Sequence, residues 1–384
     1  MSNIPTKAKA LQLQRPASKE KGARNEAKLL DVDVPKEQQG CVLVKIHAAG
    51  FNRRDEWSML GAYPGLTYEN STFGCDGAGT IVRGSSSFKP SHPQGLVLLN
   101  PTRGWASDAA GPEAEVPGSK ESKATNEFGG RGFGLLGATK PTGGVGCFAE
   151  YVQVAADQVV NVPAHLDALQ AACLPCGGVT AYRALFTKAQ LARGQTLLIT
   201  GIGGGVALLA LQLAVAAGAR VFVTGGSDAK VARAVELGAV GGAVYKDAKW
   251  PETIRKLLAE KCAERPYLDA IVDSAGGEVP AQAAKAGLKA GGKIVCFGMT
   301  ASPKMTVTMR EVLRNVDICG STMGSAAEFR AMVEFVGKHK IEPIVDTVLE
   351  GLENAHKGFA LLADADKRSG GKVVVSVAKA QAKL

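Results

Sequence analysis

Over the first 160 residues, apolar and polar positions trade places in short runs that stop at glycine. Three of these runs, "GCVLVKIHAAG" (40–50), "GCDGAGTIVR" (74–83) and "GCFAEYVQV" (146–154), predict β-strands, because a period of two puts alternate side chains on one face. Residues 101–146 are rich in Gly, Pro, Ser and Thr and carry no apolar period, which predicts a long surface loop or lobe. Beyond about residue 166 the period lengthens. "LDALQAACLPCGGVTAYRALF" has helical spacing, "QTLLIT" reads as a buried strand, and "VALLALQLAVAAG" reads as a helix closed by glycine. "ARVFVTG" (strand), "DAKVARAVELG" (helix), "LDAIVDSAG" (strand) and "GGKIVCFG" (strand) continue a βαβ series. After the helical "STMGSAAEFRAMVEFVGKHK", "GFALLADADKRSGGKVVVSV" returns through a helix to a strand that rejoins the first domain.

The fold class expected is therefore α/β: a Rossmann, doubly wound parallel sheet domain beside a mainly β domain. A chain of 384 residues exceeds one ordinary core, and the texture divides it into 1–165, completed by 326–384, and 166–325. With 46% apolar and 21% charged residues and 47 glycines, it reads as a soluble, loop-rich globular protein. No uninterrupted apolar stretch of membrane-spanning length occurs, and "MSNIPTKAKALQLQRP" lacks the apolar segment of a secretory signal, so a cytosolic or organelle-matrix protein without a membrane partner is expected. Eight dispersed cysteines read as free thiols in a reducing compartment. The net charge of +9 comes from scattered residues, and only 5% of positions are aromatic, which argues against nucleic acid and for anionic small molecules.

The glycine-rich run "TGIGGGVALLALQLA" narrows the chemistry. Gly201, Gly203, Gly204 and Gly205 lie between a strand and a helix, where glycines let the backbone approach a pyrophosphate seated on the helix N-terminus. A site for NAD usually ends the next strand with Asp or Glu to bind the ribose 2'-hydroxyl; here Gly225 and Gly226 stand there. Small residues followed by Ser227 and Lys230 leave room for a 2'-phosphate and supply a hydroxyl and a cation, which points to NADPH. The alternative is that "GGSD" is only a helix cap, with Ser227 or Asp228 as the capping residue.

Taken in order, "AAGFNRRDEWSMLGAYPG", "FGCDGAGTIV", "GCFAEYVQV", "LPCGGVTAYRAL", the long glycine-turn segment and "GGKVVVSV" resemble the medium-chain dehydrogenase/reductase superfamily over nearly the full chain, and within it the zinc-free quinone oxidoreductase-like branch. The resemblance implies a mainly β, GroES-like catalytic domain built from both termini, a Rossmann domain and a cleft between them. It implies that Thr180 contacts the nicotinamide end, that Tyr245 lies beside the adenosine phosphate and that Lys372 contacts the pyrophosphate. One departure is that "GIGGGVA" is one residue longer than the usual run, which puts Val206 or Ala207 where a third glycine is common and counts Val206 among the cofactor contacts.

Zinc members of the superfamily place ligands where this chain has Asn52, Cys75-Asp76 and Cys176, and asparagine is a poor zinc ligand. No catalytic metal is expected, although Cys75, Asp76 and Cys176 leave an atypical metal site open as the alternative. Residues 99–146 contain no cysteine, so the family's structural zinc lobe is absent. "CLPC" (173–176) reads as buried, unreactive thiols rather than a redox pair. Without a Lewis acid, hydride transfer from NADPH to an activated C=C or quinone suits the site better than alcohol oxidation. The catalytic candidates that match the branch are Asn52 and Tyr63, which would stabilise the developing oxygen charge, with Trp57 at another cleft position. Tyr63 could instead be turn packing, and Arg53 and Arg54 either bind an anion or pair with Asp55 and Glu56 on the surface. A non-catalytic NADPH-binding protein is the remaining reading. The resemblance implies a homodimer. The terminal Ala-Lys-Leu is similar to the Ser-Lys-Leu address, which raises a peroxisome-type organelle matrix and the peroxisomal import receptor as a partner.

Overall fold

The computed structural model describes residues 4–18, 20, 22–84, 88–113, 133–364 and 367–377. The C-terminal Ala-Lys-Leu and much of the loop predicted at 101–146 lie outside the described residues. Two compact units divide the chain: residues 1–176 with 325–368 and 372–384, and residues 177–324 with 369–371.

Alternating patterns do become strands in the first unit. β1 (Lys7–Gln14) and β2 (Glu26–Asp33) form an antiparallel hairpin. There follow β3 (Cys41–Gly50), α1 (Arg53–Met59), β4 (Asp76–Arg83), β5 (Leu96–Leu99), the short pair β6 (Thr102–Arg103) and β7 (Gly134–Leu135), then β8 (Tyr151–Ala155) and β9 (Val159–Asn161). The run at 146–154 thus begins its strand five residues later than its pattern suggests.

The segment predicted to open the nucleotide-binding domain, 166–176, belongs to the first unit instead. It lies so close to β3 that a Cβ on Gly50 would stand 2.4 Å from the Ala172 carbonyl oxygen, and the Cys176 N–H donates to Asp76 Oδ1 on β4 at 2.7 Å. Helical spacing starts before the domain does. The helical stretch itself divides into a single helical turn at Ala168–Ala171, α2 (Pro175–Tyr182) and a π-helical turn, Arg183–Lys188.

The second unit alternates β10 (Thr196–Ile202), α3 (Gly205–Ala216), β11 (Arg220–Gly225), α4 (Asp228–Glu236), β12 (Gly241–Val244), α5 (Trp250–Lys261), β13 (Leu268–Asp273), α6 (Val279–Lys285), β14 (Leu288–Cys296), α7 (Met309–Leu313) and β15 (Asp317–Gly320). All its strand pairs are parallel, in the order β12-β11-β10-β13-β14-β15. This is the doubly wound order, and its direction reverses between β10 and β13, where such sheets bind ligands at the carboxyl ends of the strands. Leu198, Phe222, Ile271 and Ile294 are buried among Trp250, Ile254, Leu258 and Leu288 from the surrounding elements. Burying side chains of this size stabilises by roughly 1.5–3 kcal/mol each.

The chain then returns to the first unit through α8 (Ala326–His339), β16 (Val345–Glu350), α9 (His356–Ala363) and β17 (Lys372–Ser376). Ser325 starts α8 with a capping box to Glu328, and Lys340 ends it in the left-handed conformation. β17 completes the main sheet of the first unit, in the order β16-β17-β3-β4-β5-β9, with β8 also on β3.

Candidate functional site

In the second unit, β10 runs through Ile202, so the sharp turn rests on Gly203 and Gly204 while Gly205 and Val206 already open α3. Gly201 and Gly203 hold φ of +68° and +119°, a region that penalises any side chain. The aliphatic stem of Lys230 lies 3.1 Å from where a Gly203 Cβ would stand, which brings the lysine over the turn. Backbone from the end of the chain reaches the same turn: the Gly371 N–H donates to the Gly203 carbonyl oxygen at 3.2 Å.

At the end of β11, the Tyr245 hydroxyl lies 2.8 Å from the Cβ position of Gly226, and Tyr245 is 46% exposed. Ser227 Oγ accepts from the Lys230 N–H at 3.4 Å and so caps α4. The cap and the phosphate roles are compatible, because capping uses a lone pair and leaves the O–H to donate. Gly203, Gly226, Ser227, Lys230 and Tyr245 therefore belong to one region of this unit. Thr180, on α2, is buried and donates to Met323 Sδ at 3.7 Å.

Sequence reasoning did not single out a network at the sheet's reversal point. Asp273, the last residue of β13, accepts from Thr200 Oγ1 at 2.5 Å and from the Ala275 and Gly276 N–H groups at 3.1 and 2.8 Å. Burial pushes its carboxyl above the usual range, against these hydrogen bonds. Ser274 Oγ lies 3.2 Å from the Cβ position of Gly201, so the network fixes the loop beside the glycine turn. An aspartate at the carboxyl end of "LDAIVD" was the available signal.

The first unit holds a buried polar cluster where β3, β4 and β17 run side by side. Lys372 is 5% exposed and Asp76 is fully buried. The Lys372 ammonium donates to the Phe51 carbonyl oxygen at 2.7 Å, to Asn52 Oδ1 at 2.6 Å and to Asp76 Oδ2 at 2.8 Å. Three acceptors take three protons, which corrects the expectation that Lys372 contacts a pyrophosphate. Its backbone neighbours Gly370 and Gly371 are the ones at the glycine turn, while the buried Asp76 draws the side chain to itself. Burial works against the ammonium, but Asp76 and Cys176 outweigh it and leave the pKa above the ordinary lysine value.

Asn52 is corrected likewise. It is buried, its Oδ1 faces Lys372, and its Nδ2 donates to Asp76 Oδ2 at 2.8 Å, with Cys75 Sγ at 3.4 Å. An amide with both ends taken does not serve as an oxyanion donor. Cys75, Asp76 and Cys176 offer ligand atoms within 4.8 Å of one another. Burial raises the Cys75 thiol well above its usual pKa and pushes Cys173 up to about 12, so the buried-thiol reading of "CLPC" holds for Cys173.

Arg54 is no surface residue. Buried, it donates to the Leu136 and Gly137 carbonyl oxygens, both at 2.6 Å, and its guanidinium lies 4.3 Å from the Tyr63 ring centroid. Arg53 donates to the Leu362 carbonyl oxygen, and Glu56 pairs with Arg24 at 2.7 Å. Tyr63 is half-buried, and burial raises its pKa against the pull of Arg54, so it stays protonated at neutral pH. Trp57 is exposed. Asp55 Oδ2 accepts the Asn52 N–H at 2.8 Å, and burial, opposed by Arg54, pushes its carboxyl up to about 6.

Models of two domains match this chain: the alcohol dehydrogenase GroES-like domain over residues 38–164 and the zinc-binding dehydrogenase over 205–338. The zinc-type alcohol dehydrogenase-like protein YogA of Leptosphaeria maculans is 40% identical, over 88% of this chain and 90% of that protein. The acryloyl-coenzyme A reductase of Metallosphaera sedula is 26% identical over 93% of this chain and 98% of its own. Among solved structures, an NAD-dependent alcohol dehydrogenase superposes with a TM-score of 0.77 at 28% identity, covering 96% of this chain and all of that one. With a GroES-like first unit, a doubly wound second unit and matches of this extent, the chain belongs to the medium-chain dehydrogenase/reductase superfamily.

Proposed function

We propose that this protein is an NADPH-dependent oxidoreductase that reduces an activated C=C bond or a quinone, such as an enone, a quinone or an enoyl thioester, without a catalytic metal. The observation that carries the reading is the end of β11, where Gly225 and Gly226 replace the usual acid and Lys230 lies against Gly203. The cofactor is NADPH, which supplies a hydride when bound. The Gly203-Gly204 turn gives its pyrophosphate backbone donors at the start of α3. Lys230, Ser227 and Tyr245 hold the 2'-phosphate, the lysine by charge and the other two by hydroxyl donation. Asp273 positions the loop at Ser274 beside Gly201.

In the first unit, Tyr63 is the residue able to donate to oxygen charge developing on the acceptor, because Asn52 is saturated and Tyr63 stays protonated. The likeness to an acryloyl-coenzyme A reductase supports an enoyl thioester as the acceptor class. A second reading, a metal-dependent alcohol dehydrogenase, is favoured by the proximity of Cys75, Asp76 and Cys176 and by the relatives' names.

The deciding experiment titrates NADPH and NADH by fluorescence, then adds 9,10-phenanthrenequinone, an enone and crotonyl-CoA. The expected outcome is a preference for NADPH that falls roughly 10-fold or more in Lys230→Ala, with NADPH oxidised by at least one acceptor and slowed in Tyr63→Phe. Equal affinity for both cofactors would sink the phosphate site. Tight binding without turnover would leave an NADPH-binding protein, and turnover of alcohols abolished by chelator would establish the metal reading.

A further inference from the structure

The chemistry of the Cys75-Asp76-Cys176 cluster does not fit a metal ion, because the charge of Asp76 is already balanced by Lys372. We propose that the Lys372 ammonium is an internal cation that keeps metal out of this cluster, and that removing its charge opens a thiolate site for a soft divalent ion. The inference rests on the metal-independent half of the function proposed above and on nothing about the acceptor.

Lysine can only donate, so the atom of Asn52 that lies 2.6 Å from Lys372 Nζ must be the oxygen. The amide NH₂ is thereby turned towards Asp76 Oδ2 and Cys75 Sγ, at 2.8 and 3.4 Å. A proton donor thus points at the thiol on the side where the family's third ligand would stand.

Asp76 is equally committed. Its Oδ1 accepts the Cys176 N–H at 2.7 Å, and its Oδ2 accepts from both Asn52 and Lys372. The negative charge that would draw a cation into the cluster is neutralised by a side chain tethered to β17. A divalent ion would have to enter beside a buried ammonium, displace these hydrogen bonds and release the thiol protons to the buffer. Two sulfurs and a carboxylate would otherwise suit zinc or cobalt. A neutral residue at 372 leaves Asp76 as the unpaired charge and reverses the preference.

The test uses the full chain and cobalt(II) as the probe, read by the thiolate-to-cobalt charge-transfer band and by metal content after gel filtration. Wild type is expected to show no band and to carry far less than one cobalt per chain. Lys372→Gln, whose amide keeps a donor without the charge, and Lys372→Met are expected to gain the band with roughly one cobalt per chain. The gain should vanish when Cys75→Ser is added, and Lys372→Arg should stay metal-poor.

A wild-type protein that binds stoichiometric cobalt at its thiols overturns the proposal, whatever the variants do. So do folded Lys372→Gln and Lys372→Met proteins without the band, fold being checked by circular dichroism. Cobalt rejected by a wild type that reduces no acceptor would remove the reductase reading and leave this one standing.

Discussion

The two units solve opposite problems with polar groups. In the first, Lys372, Asp76, Asn52 and Arg54 are buried and spend their hydrogen bonds on one another or on backbone carbonyls. In the second, the distinctive residues are glycines with positive φ, next to a partly exposed Lys230 and an exposed Tyr245. One region is specified by internal electrostatics, the other by what its backbone leaves room for. Substitutions in the first should therefore register in stability, and those in the second in cofactor affinity.

The sharpest way to break that contrast is Asp76→Ala. It strands a buried ammonium and is expected to cost about 3–5 kcal/mol of stability, measured by urea unfolding; neutralising Lys372 in the same chain should restore part of the loss. An unchanged midpoint would show that the cluster is solvated. Gly203→Val forces a β-branched residue to φ +119° against the Lys230 stem and is expected to weaken NADPH roughly 10- to 100-fold while leaving unfolding of the first unit in place.

Asp55→Asn probes the first unit through pH. The Asp55 carboxyl titrates in the fold at about 6 against an ordinary 3.8, so the folded state holds the proton more tightly. That contribution is complete below the ordinary value and is lost as pH rises through about 6. Wild-type stability should decline across this window by on the order of 1–2 kcal/mol more than the variant's, read from urea midpoints at several pH values. The smallest effect expected is Tyr245→Ala, a roughly threefold loss of NADPH affinity with no change for NADH; an equal loss for both would place Tyr245 away from the 2'-phosphate.

Periodicity made the parallel sheet legible, since β10 and β11 coincide with apolar runs that end at or beside glycine, and β13 and β14 overlap the stretches "LDAIVDSAG" and "GGKIVCFG". The glycine turn was legible for the same reason: backbone conformation is a local property, and glycine advertises it. Lys372 shows where this stops. Its neighbours in "SGGK" do reach the glycine turn, yet its side chain is claimed by Asp76, 296 positions away. Asn52 shows the same limit, and Arg54 does pair with Asp55 at 4.0 Å but in the interior rather than on the surface, because a polar residue beside a helix start gives no sign of whether it faces solvent or a buried charge.

By itself the sequence determined the α/β architecture, the nucleotide-binding turn and the lack of an acid after β11, all consequences of short-range period and residue type. Only the tertiary structure decided that 166–176 joins the first unit and that a lysine, an asparagine and an aspartate meet in one buried hydrogen-bonded cluster. Those outcomes depend on which buried charges meet across strands distant in the chain, and burial makes such pairings obligatory without marking them in local sequence.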